Sequence, residues 1–234
     1  MARATATGTV TPTADAQKTV VIFDCESDGK PRSSFGDTRA LQDFQFVQCT
    51  CACALIVPAT QLPSLAGATK LTCWRDVATS PGANPFEPLL EAFDAATVIV
   101  GYNAFDFDFP LLHKHYARKQ HGAQRYFEHR VKCLDLFSRL RAVSNEWPKL
   151  DNLLAANGLP VKIGDGKQAI RMWQRNERDE LEAYCEVDVL RTAELSLRRQ
   201  LAFGKATVPE HVYGLMPMLT AVLLAEEEGE YVVV

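Results

Sequence analysis

Apolar positions fall in short β-branched runs early in the chain and at helical spacing later. Thr19-Val20-Val21-Ile22-Phe23 is continuous and ends at Asp24, the pattern of a buried strand delivering a polar residue at its C-terminal end. Phe46 to Val57 alternates as a long strand stopped by Pro58, Leu71 to Trp74 reads as a third strand, and Thr97 to Gly101 as a fourth. Phe86, Leu89, Leu90 and Phe93 recur at helical spacing behind Pro85, so 85–94 is predicted as a helix. Further helices are predicted over Phe109 to Gln120, over Cys133 to Arg141, and over Leu150 to Asn157, the last closed by Gly158. A long one covers Glu177 to Ala202, with Leu181, Tyr184, Cys185, Asp188, Leu195 and Leu201 among its inward positions. The polar stretch from Ser27 to Asp43 reads as a loop. Strands first and helices later predict an α/β or α+β domain with a mixed sheet.

Composition adds bounds to this picture. At 234 residues, 47% hydrophobic and 23% charged, the chain can bury a sizeable core, and one domain of this class is the reasonable expectation. The net charge of −4 gives none of the basic field that marks many polyanion-binding proteins. A carboxylate cluster that binds divalent cations would nevertheless lower the formal charge while its loaded site is locally positive. Seven cysteines, an odd number without a secretory leader, predict reduced thiols and an intracellular, cytoplasmic or nuclear, location. No apolar run approaches the ~20 residues that span a bilayer.

Three segments carry candidate chemistry. Asp24 and Glu26 are two apart at a strand end, so both side chains share one face. Adjacent carboxylates repel unless a cation or proton separates them, which makes the pair a metal-site signal, although solvated acids at a strand end are the plainer reading. The second segment, Gly101-Tyr102-Asn103-Ala104-Phe105-Asp106-Phe107-Asp108-Phe109-Pro110, runs from a buried strand through a turn into a helix. Asp106 and Asp108 compete there for a ligand role, and either could be a helix cap instead. In the third, Tyr184 and Asp188 stand one turn apart on the long helix and can face a common cleft, where a core Tyr beside a surface acid is the plainer alternative.

Taken together, these segments resemble the DEDD superfamily of 3′-5′ exonucleases, in its tyrosine (DEDDy) branch. Asp24 and Glu26 match the first motif, with Ser27 where Thr is more usual. Gly101-Tyr102-Asn103 followed by Phe107-Asp108-Phe109-Pro110 is similar to the second motif in proofreading domains of family-B DNA polymerases and selects Asp108. Asp188 and Tyr184 match the third, and Lys132-Cys133-Leu134-Asp135-Leu136 looks like the strand-to-helix step between the second and third. The resemblance covers about residues 19–202. It implies an RNase H-like α/β fold with a mixed central sheet flanked by helices, and the Thr- and Ala-rich stretch 1–17 before it reads as a flexible tail. The exonuclease domain would span 18–204, and 205–234 would be a C-terminal extension. It also implies two divalent cations, Mg²⁺ or Mn²⁺, held by Asp24, Glu26, Asp108 and Asp188, with Tyr184 hydrogen-bonding the attacking water. The substrate would be single-stranded 3′ ends, DNA more than RNA, with nucleoside 5′-monophosphates as product. RNA trimming, and a catalytically silent nucleic-acid-binding module on the same fold, are the alternatives.

Other signals are weaker. Asn103 is a candidate contact to the terminal nucleotide, and Phe107 or Phe105 a candidate stacking group, with core packing the competing role of each ring. Lys30, Arg32 and Phe35 form a loop suited to guiding a single strand or simply solvated. Cys49, Cys51 and Cys53 should lie on one strand face as small apolar fillers. His113 and His115 are expected on the surface, and Glu226-Glu227-Glu228 before Tyr231-Val232-Val233-Val234 should be a solvated helix end and a short apolar tail.

Overall fold

Five strands form one mixed sheet in the computed structural model of the chain, which describes residues 18–31, 41–78, 80–117, 121–144, 147–161, 166–203, 210–213 and 216–221. β1 (Thr19–Ser27) is central, antiparallel to β2 (Cys49–Pro58), which pairs in turn with β3 (Thr69–Trp74). On its other side β1 runs parallel to β4 (Val98–Gly101), and β4 parallel to β5 (Cys133–Asp135), giving the order β3-β2-β1-β4-β5. β1 can occupy the centre because Val20, Val21, Ile22 and Phe23 are apolar on both faces, and all four are buried. The mixed α/β architecture is the one expected.

Helices cover both faces. α1 (Glu87–Ala95), α2 (Asp108–Tyr116) and α3 (Gly122–Val131) lie on the side of Val21, Phe23 and Cys25, where Phe86, Phe93 and Phe109 fill the layer. The rings of Phe23 and Phe93 meet edge to face at 4.7 Å, and Phe23 meets Phe109 at 5.7 Å. α4 (Leu136–Ser144), α5 (Leu150–Ala156), α6 (Gly166–Gln174) and α7 (Arg178–Ser196) contribute to the layer on the side of Val20 and Ile22. A separate antiparallel pair, β6 (Gln200–Phe203) and β7 (Glu210–Tyr213), adds Leu201 and Phe203 to that layer. No helix among the described residues is long and apolar enough to cross a membrane.

Several boundaries differ from the sequence reading. β2 starts at Cys49 rather than Phe46, because a turn in which Val47 N–H donates to Phe44 C=O leaves Phe46 exposed. Cys133–Asp135 is a strand before α4, not the first turn of the predicted helix. α7 stops at Ser196, and Leu201, assigned to its inward side, is instead buried from β6. α3 and α6 were not foreseen. Gly158 does close α5: its φ of +66° suits glycine, its N–H donates to Ala155 C=O, and Leu159 N–H reaches Leu154 C=O. Register slips between Glu26 and Ser27 opposite β2, so alternation reverses. Cys51 and Cys53 consequently face the α7 side while Cys49 joins the α1–α2 layer, which corrects the expectation of one shared face. Residues 1–17, Arg32 and Phe35 of the loop, the 204/205 boundary and the acidic and apolar C-terminal segments lie outside the described residues.

Two histidines are more buried than a surface role allows. His115, expected outside, is buried and pairs its Nδ1 with Asn84 Oδ1 at 2.9 Å. His129 bridges Tyr116 Oη at 2.8 Å and Asp94 Oδ1 at 2.7 Å. A carboxylate only accepts, so Nε2 carries the proton toward Asp94 and Nδ1 accepts from the phenol. Burial, opposed by Asp94, lowers the pKa of His129 below its ordinary value. The unfolded chain therefore binds the proton more readily. The stability contributed by neutral His129 should be complete above about pH 6.5 and decline as pH falls from there toward the lower folded value. Urea midpoints measured from pH 7.5 to 5 should show this decline, and His129→Gln should flatten it.

Candidate active site

The parallel strands β1, β4 and β5 end at the same edge of the sheet, the edge at which open α/β sheets place ligands. Asp24 and Glu26 project from the last part of β1 on one face. Their carboxylate oxygens and the Cys185 sulfur of α7 all lie within 4.8 Å of one another. Cys185 Sγ stands 3.5 Å from the Asp24 backbone oxygen and 3.8 Å from Asp24 Oδ2. α7 therefore seats directly on the acid pair. Tyr184 and Asp188, both buried, flank Cys185 on that inward side of the helix, one turn apart.

The β4–α2 connection brings the second acid in from the other face. Gly101 is required where the chain leaves β4: an added Cβ would stand 2.7 Å from Ala104 Cβ and 3.3 Å from the Phe23 ring. Asn103 follows in the left-handed region at φ +63°, which Asn tolerates better than most side chains. Its carbonyl accepts from the N–H groups of Asp106 and Phe107 at 3.2 and 3.0 Å. The turn thus aims Asp108, at the start of α2, toward β1, where Asp108 Oδ1 accepts the backbone N–H of Cys25 at 2.8 Å. Burial, with a smaller contribution from Asp135, pushes the Asp108 carboxyl up to about 8. A carboxyl so raised ionises readily at neutral pH only when a cation approaches. Asp106 points elsewhere, 4.0 Å from Arg141.

Asp135, at the end of β5, holds this connection in place. Its carboxylate accepts the N–H groups of Asn103 and Phe105 at 2.8 and 3.1 Å, and on its other side the Phe137 N–H and Ser138 Oγ, both at 3.0 Å. In the sequence Asp135 stands out only through the family resemblance. Its signal was an acid closing a short apolar segment just before a helix, the position of a cap. Of the proposed substrate contacts, Asn103 is half-buried in the turn. Phe107 packs edge to face on Phe44 at 5.9 Å, and Phe105 stacks on Phe109 at 6.1 Å beneath the Arg130 guanidinium. Both rings have packing partners.

The donor set suits hard cations. Asp24 and Glu26 offer facing carboxylate oxygens, the ligands preferred by Mg²⁺ and Mn²⁺, and their mutual repulsion is relieved by positive charge between them. Residues 84–233 match a family model described as a predicted 3′-5′ exonuclease related to the exonuclease domain of PolB. No curated protein matches the chain. Among solved structures it is similar to the family B DNA polymerase from the hyperthermophilic archaeon Pyrobaculum calidifontis, at 18% identity and a TM-score of 0.47. That similarity covers 76% of this chain and 24% of the polymerase, so the chain spans about a quarter of that protein's length.

Proposed function

This chain belongs to the family of predicted 3′-5′ exonucleases related to the exonuclease domain of PolB, and from that premise we propose that it hydrolyses single-stranded DNA from the 3′ end, releasing nucleoside 5′-monophosphates. The observation that carries this reading is the meeting of Asp24 and Glu26 on β1 with the buried inward side of α7 that bears Tyr184 and Asp188, and of Asp108 with the β1 backbone between them. Asp24, Glu26, Asp108 and Asp188 would hold two divalent cations, Mg²⁺ or Mn²⁺. Bound there, such ions supply charge neutralisation at phosphorus and acidify a coordinated water. Tyr184 would orient the nucleophilic water by hydrogen bonding. Burial of Glu26, Asp108 and Asp188 keeps competing water away and strengthens their hold on positive charge. Asn103 and Phe107 belong to the same β4–α2 connection that delivers Asp108 and would meet the terminal nucleotide.

The test is incubation of purified protein with 3′- and 5′-labelled single-stranded DNA and RNA in Mg²⁺, Mn²⁺ or EDTA. Shortening from the 3′ end that EDTA abolishes is expected, faster on DNA. Faster loss of RNA would move the reading to RNA trimming, and no shortening of any substrate would leave a nucleic-acid-binding module. Within the crowded Asp-Phe-Asp segment, Asp108→Asn should lower the rate by about 10²-fold or more, since it removes a charge at the metal site. Asp106→Asn should stay within a few-fold of wild type. The reverse ranking in a single-turnover assay would reassign the second motif.

A further inference from the structure

Three thiols beside the carboxylates are not used by the chemistry above. Cys51 and Cys53 stand directly opposite Glu26 and Asp24 in the β1–β2 ladder, so all four side chains share one face. α7 lays Cys185 over them, and the three sulfurs lie within 4.8 Å of one another, with Cys51 and Cys53 at 3.9 Å. Sulfurs bound to one Zn²⁺ at about 2.3 Å stand about 3.8 Å apart, a spacing that Cys51 and Cys53 already match and that Cys185, within 4.8 Å of both, would reach by moving inward. All seven cysteines are free, which leaves the three sulfurs available as ligands. Cys53 lines a shallow crevice together with Lys70 and Glu186, which pair at 2.7 Å.

We propose that Cys51, Cys53 and Cys185 form a binding site for a soft divalent cation of the Zn²⁺ class, separate from the carboxylate site and sharing a wall with it through Cys185. The three thiols bind as thiolates and give up their protons to solvent, while water completes a tetrahedral ion. Ligand softness keeps the two sites apart: thiolates select Zn²⁺ or Cd²⁺, and carboxylates with water select Mg²⁺ or Mn²⁺. An ion held by Cys185 draws that sulfur from Asp24. Three thiolates and one divalent ion leave a net charge of −1, so the loaded site adds no positive charge beside the acid pair. Binding there does not rest on the exonuclease reading.

The experiment is a Cd²⁺ titration of the reduced full chain in excess Mg²⁺, followed by thiolate-to-metal charge-transfer absorbance in the near ultraviolet. A band saturating at one ion per chain is expected. It should be lost in Cys53→Ser and in Cys51→Ala, and kept in Cys73→Ser, whose thiol lies in the opposite layer, and in Asp24→Asn. Circular dichroism on each variant separates lost ligands from lost fold. Absence of the band in the wild-type chain, or its survival in both folded thiol variants, overturns the proposal. A band in a protein that shortens no nucleic acid would retain this site and reject the exonuclease reading.

Discussion

Asp24→Asn should lower 3′-end hydrolysis by on the order of 10³-fold or more, the rate equivalent of the several kcal/mol that positioned cations supply to such a transition state. The substitution preserves volume and removes one of two facing charges. The carboxylates of Asp24 and Glu26 lie within 4.8 Å of one another, so the neutral amide relieves repulsion when no cation is bound. Thermal stability in EDTA should therefore hold steady or rise while activity disappears. That opposite movement separates a ligand from a structural acid, whose loss would lower both. Single-turnover rates on labelled DNA and a melting curve in EDTA give the two numbers. A rate within tenfold of wild type would remove Asp24 from the metal site.

The largest effect on stability alone is expected at Phe93. Its side chain is fully buried and packs on Phe23 at 4.7 Å, on His129 at 5.5 Å and on Phe109 at 6.2 Å, so no single neighbour can fill the space it vacates. Phe93→Ala should cost about 3–5 kcal/mol, transfer and cavity together. For a chain of this size that corresponds to a fall in Tm of about 6–20 °C. Urea unfolding is the measurement, and a cost below about 1 kcal/mol would mean that α1 collapses onto the gap. Because Phe23 immediately precedes Asp24, a lowered rate in the still-folded variant at low temperature would show that this aromatic layer also holds the acid pair in register.

The central strand and the period-two placement of Asp24 and Glu26 were legible because β1 is buried on both faces and its apolar run is uninterrupted. The closure of α5 at Gly158 was legible for a local reason, the left-handed turn that glycine allows. β5 was legible only through the resemblance, which marked a strand-to-helix step there; its local pattern hid it, because three residues are too few to show a period and Cys133-Leu134-Asp135 runs straight into an apolar helix start. α3 escaped because only Gly122 and His129 of its residues are buried, leaving no apolar stripe to read. The end of α7 was misjudged because Leu201 continues a helical spacing that the chain abandons at Leu197 for a strand in which Leu201 and Phe203 alternate inward. The split of Cys49 from Cys51 and Cys53 depends on a register slip against β1, and the approach of Cys185, which lies 134 positions after Cys51, on the packing of α7. Neither is encoded in a local window. Only the family resemblance selected Asp108 over Asp106, and the physical difference between them, one seated on a β1 amide and the other beside Arg141, is tertiary.

The donor that seats Asp108 is the main-chain N–H of Cys25, and this has a bearing on how the site can vary. Position 25 lies between two acids, and its thiol sits in the core layer beneath while adding a hydrogen bond of its own to the Asp108 carboxyl. Proline is barred there by the loss of its hydrogen. A residue in the middle of the first motif is thus held first to a backbone requirement, and its side chain only adds to a seat that the main chain already makes.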